Sequence, residues 1–190
     1  MQTLGLSDST PRSESRLKSL FWPSVQTSFD VDYLGSQGYW LCTVVAAVTF
    51  VFSTGTGHPI AGALTLLFYY LSGVGIREHS RYAAAMALLF SLADMLASGP
   101  GVFRVLFAAL LLSNLRATWI ASGWMPESEE AAPPPRLGET WTDKFADRFP
   151  SWLWPKVRVL YYIFSTCFVV LVVIGLAMMM SRGARSPVPH

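Results

Sequence analysis

Charged side chains are absent from the whole stretch between Asp32 and Arg77, 44 residues broken once by Thr54-Gly55-Thr56-Gly57-His58-Pro59. A helix that crosses a bilayer needs about 20 residues at about 1.5 Å each. The stretch therefore divides into two spans around a tight loop, one from about Gly38 to Thr54 and one from Pro59 to Ile76. Pro59 suits a first helical turn, where its missing N–H would be unpaired anyway. A third uncharged run, Val159 to Met180, supplies 22 residues rich in Val, Leu, Ile, Phe and Met and is long enough to cross with some tilt.

The pattern between these runs is shorter. Tyr82 to Ala93 is apolar for 12 residues before Asp94, and Val105 to Leu115 for 11 residues between Arg104 and Arg116. Neither covers a hydrocarbon core of about 30 Å by itself. Arginine at a helix end reaches back to the headgroups, and apolar sequence continues to Leu96 on one side and through Trp119 and Ile120 on the other. Two short spans follow, about Tyr82 to Ala97 and Gly101 to Ser122, joined by Ser98-Gly99-Pro100-Gly101; a re-entrant hairpin is the alternative. The expected fold is all-α, a polytopic bundle of about five transmembrane helices.

Polar segments divide the chain further. Residues 1–34 form a polar N-terminal segment in which Leu17, Leu20 and Phe21 suit a surface helix, and 35–124 hold four spans. Residues 125–156 begin as a Pro/Glu-rich linker, which lacks the apolar area to fold. Thr140 then caps a segment with Trp141, Phe145 and Phe149 on one helical face and Asp143, Lys144, Asp147 and Arg148 opposite. Such a short amphipathic helix lies in the headgroup region or packs on the bundle. Residues 157–181 form the final span and 182–190 a short tail. No secretory leader is expected, because the first 34 residues are polar and include Pro11 and Pro23.

Composition agrees with a membrane chain. Charged residues are 14% of the total, against about 25% in soluble domains, while 52% are apolar and mean hydropathy is +0.40. A net charge of +2 and two cysteines argue against nucleic-acid binding by bulk charge and against a disulfide-stapled domain. The basic residues are sorted: with Arg116 set aside inside a span, ten lie on one side of the five-span arrangement and three on the other. The positive-inside rule then places the N-terminus in the cytoplasm, with the plasma (inner) membrane as the expected location.

Charges near hydrocarbon mark candidate sites. Asp94 and Arg104 fall at similar depth in a hairpin and suit an ion pair. Asn114 and Arg116 suit contact with a lipid phosphate or another anion. In Arg77-Glu78-His79-Ser80-Arg81, Glu78 and His79 are the only adjacent acid and imidazole, a polar-loop pair too small for a metal site. No metal, cofactor or catalytic motif is present. The expected partners are the lipid bilayer and a membrane protein, and the favoured function is an accessory or assembly subunit of a membrane complex. A small transporter or channel using Asp94, Arg104, Asn114 and Arg116 is the alternative, and an intramembrane enzyme using Glu78, His79 and Asp94 a weaker one.

Overall fold

The computed structural model describes residues 21–25, 28–123 and 141–183. The surface helix expected around Leu17 and Leu20, most of the 125–156 segment's linker and the end of the tail lie outside the described residues. The helices are α1 (Ser28–Gly55), α2 (Pro59–Arg77), α3 (Arg81–Ser98), α4 (Val102–Ala121) and α5 (Trp141–Gly183), and no strand occurs among the described residues. All five are long and apolar enough to cross a membrane.

Local chemistry sets the limits of α2 to α4. Pro59 opens α2 at its first turn, and the Ser80 hydroxyl accepts from the Ala83 amide to cap α3. Gly57 and Gly99 take positive φ, 84° and 82°, in the two turns at the opposite ends of these helices. With 18 and 20 residues, α3 and α4 are about 27 and 30 Å long, comparable to the hydrocarbon core.

Two helices run farther than the apolar pattern suggests. α1 begins at Ser28 rather than near Gly38. Asp30 lies in its first turn, where a negative side chain complements the helix dipole, so the polar segment continues the helix instead of ending it. The amphipathic segment near Phe149 and the last span are one helix of 43 residues that passes through Pro150 and Pro155. Each proline removes one backbone hydrogen bond, and the helix runs on through both.

The packing pairs are α1 with α2, α2 with α3, α3 with α4 and α4 with α1, which close a four-helix ring; α5 lies on α2 and α3. Small residues allow the close approaches. A Cβ at Gly73 would stand 3.0 Å from Cys42 Cβ, and one at Gly75 would stand 2.5 Å from both Ala83 Cβ and Trp154. Around this seam Phe68, Ile76, Ala84, Ala87 and Leu111 are fully buried. Phe68, Phe90 and Phe168 join the ring to α5. Ser72, itself bonded to the Phe68 carbonyl, meets the Tyr161 hydroxyl at 2.7 Å, and Tyr82 meets Thr166. Val51, Phe52, Ile60, Leu96, Val102 and Phe103, at the other end, are exposed, as lipid-facing side chains are.

Candidate functional site

The end of the bundle that carries Arg77 and Arg81 gathers the most polar chemistry, and we call it the basic end. α2 stops at Arg77, and Glu78, His79 and Ser80 turn the chain into α3. His79 takes φ 53°, a left-handed conformation uncommon for a side chain of this size. This folds the imidazole back over α1, where Gly35 leaves room: a Cβ there would lie 3.5 Å from His79 Nε2. Nε2 is 3.3 Å from Asp32 Oδ1.

Arg77 Nη1 donates to the Asp32 carbonyl at 3.1 Å and lies 3.7 Å from Asp32 Oδ1. Asp32, Arg77, Glu78 and His79 line a cavity of about 220 Å³ that opens to solvent. Burial pushes the Glu78 carboxyl above its ordinary range, and the neighbouring His79 and Arg77 pull it part of the way back. Chemically, the cluster ties the start of α1 to the α2–α3 turn. Among the described residues no three His, Cys, Asp or Glu side chains stand close enough to hold a metal ion.

Asp94 and Arg104 sit at the opposite end. Arg104 Nε donates to Asp94 Oδ2 at 2.9 Å, and Nη1 reaches the Gly99 carbonyl at 3.3 Å, so one guanidinium holds both arms of the α3–α4 turn. Asp94 is 13 positions along α3 from Arg81, about 20 Å. Glu78, His79 and Asp94 therefore do not share a site.

Asn114 and Arg116 turn toward different neighbours. Asn114 is buried; its Nδ2 donates to the Leu110 carbonyl at 3.0 Å while Oδ1 meets no hydrogen-bond donor. It faces α1 at Gly38, where an added Cβ would stand 2.6 Å from Oδ1. Ser113 Oγ and Gln37 Oε1 are likewise buried without a partner. Arg116 Nη1 donates to the Pro23 carbonyl at 2.9 Å, and its guanidinium lies 4.7 Å over the Trp22 ring, which fastens segment 21–25 onto α4.

Three features were not legible as sites in the sequence. Asp32 joins a cluster whose other members are 45 or more positions away. Arg81 lies over Trp119, and Lys156 over Trp152 at 3.7 Å, contacts between helices or turns that no motif marks. An aspartate at the head of one span with an arginine at the foot of the next was the available signal for the first.

Together the ring, the fifth helix and the charges gathered at the ends of the spans define a multi-pass integral membrane protein. No family model matches the chain, and neither does any curated protein or solved structure.

Proposed function

We propose that this protein is an accessory or assembly subunit of a membrane complex, with its N-terminus in the cytoplasm and the plasma (inner) membrane as its location. The observation that carries this reading is α5. At 43 residues it extends about 64 Å, roughly twice the hydrocarbon core. Its buried positions are few, Trp154, Tyr161, Ser165 and Val169 among them, while Val159, Leu160, Ile163, Val170 and Leu171 are exposed. A long helix held on one face and bare on the others suits a second protein both beside the membrane and within it. The sorted basic residues support the orientation.

The test is purification of the tagged protein from native membranes in a mild detergent. A stoichiometric membrane partner, whose removal lowers the thermal midpoint of this chain, supports the reading. Solute flux by the protein alone in liposomes overturns it and favours a small transporter. The orphaned buried polar atoms of Gln37 on α1 and of Ser113 and Asn114 on α4 support that second reading, because a polar path must leave such groups for water or solute.

A further inference from the structure

Of the four arginines on α2 to α4, three have acceptors: Arg77 on Asp32, Arg104 on Asp94 and Arg116 on Pro23. Arg81 makes no hydrogen bond or ion pair among the described residues. It is exposed at the first turn of α3, and its guanidinium lies 5.9 Å over the ring of Trp119, near the end of α4. Trp119 is itself 67% exposed. A cation and an indole at the foot of two packed spans occupy headgroup depth.

What lies beneath them decides the ligand. From Arg81, exposed apolar positions continue along one face of α3 at Ala85, Leu89 and Leu92, steps of four, four and three residues. From Trp119, α4 presents Leu112 and Val105 at steps of seven, both exposed. Arg81 to Leu92 is 11 positions, about 16 Å, which matches one leaflet of a core about 30 Å thick. A soluble phosphate would use the guanidinium and leave this double stripe to the bulk bilayer. A lipid uses both.

We propose that the α3–α4 seam at the basic end binds an anionic phospholipid, with its headgroup phosphate on Arg81 beside Trp119 and an acyl chain along Ala85, Leu89 and Leu112. Charge complementarity selects an anionic lipid over a zwitterionic one, because no carboxylate among the described residues pairs with Arg81.

The test uses the full chain, delipidated in a neutral detergent and titrated with phosphatidylglycerol, phosphatidylcholine or inorganic phosphate. Bound lipid is followed by native mass spectrometry and by the thermal midpoint. Phosphatidylglycerol is expected to be retained and to raise the midpoint saturably, while the other two have little effect. Arg81→Gln weakens its binding about fivefold, and Trp119→Leu weakens it as well. Arg158→Gln, an exposed cation on α5, leaves it within about twofold. The proposal is overturned if phosphatidylcholine protects equally, if inorganic phosphate reproduces the effect, or if Arg158→Gln weakens binding as much as Arg81→Gln. It is also overturned if neither Arg81→Gln nor Trp119→Leu changes binding.

Discussion

At the basic end a methyl group added to Gly75 would stand 2.5 Å from Ala83 and Trp154, and one added to Gly38 would stand 2.6 Å from Asn114 and Ile76. At the opposite end nothing lies within 4 Å of a Cβ at Gly55, nor at Gly175 on the far part of α5. Gly62 is the exception, because α1 and α2 stay close along their whole length. Lipid solvates an apolar side chain as well as another helix does, so hydrophobicity alone does not hold spans together. Backbone proximity and a few buried polar contacts do, and these are concentrated at one end.

The largest expected effect comes from placing the same methyl at both ends. Gly75→Ala overpacks a seam whose neighbours are a backbone-anchored alanine and a buried indole, and should cost about 1 to 3 kcal/mol. Gly55→Ala should leave the thermal midpoint in detergent unchanged or slightly higher. Equal losses at the two positions would erase the contrast between the ends.

Next is the buried polar contact of α5. Ser72→Ala and Tyr161→Phe should each destabilise, and a double-mutant cycle should return a coupling of about 0.6 to 1.7 kcal/mol. A coupling near zero would mean that aromatic packing alone seats α5. At the opposite end the Asp94–Arg104 pair is smaller in effect, since both side chains are more than two-fifths exposed. Asp94→Asn should lower stability by no more than about 1 kcal/mol, and the loss should shrink in high salt.

The smallest effect has the opposite sign. Burial raises the Glu78 carboxyl in the folded state, so folding favours its neutral form. That contribution is complete below the unfolded-state pKa and is lost as pH rises through the folded one. Glu78→Gln should therefore raise the midpoint slightly at neutral pH, with the difference vanishing in acid. Thermal scans across pH check both halves of the statement.

The limits of α2, α3 and α4 were legible to within about two residues because turn residues or a charge stand where the apolar runs end: Pro59, Arg77, Ser98 and Gly101. The start of α1 was not, since Asp30 and Asp32 interrupt an apolar run without interrupting a helix. The continuity of α5 was hidden by Pro150 and Pro155, which weaken a ladder of hydrogen bonds but do not end it here. Among the candidate residues, hairpin arithmetic put Asp94 and Arg104 at one depth, and in the structure they are 2.9 Å apart. Glu78 and His79 were visible as a dense polar cluster, whereas Asp32 was not, because its contacts depend on how α1 folds back beside α2. Arg116, read alone, suits a headgroup; the fold turns it to Pro23 and Trp22, which only tertiary structure brings near.

The four-helix ring closes through contacts between α1 and α4, and every contact it needs is present by Ala121. Synthesis delivers the N-terminal helices first. All four helices of the ring are thus synthesised before Trp154, and the last helix packs on them as a ligand would, along α2 and α3. The chain carries its own first binding partner, joined to it by the residues between Gly123 and Trp141.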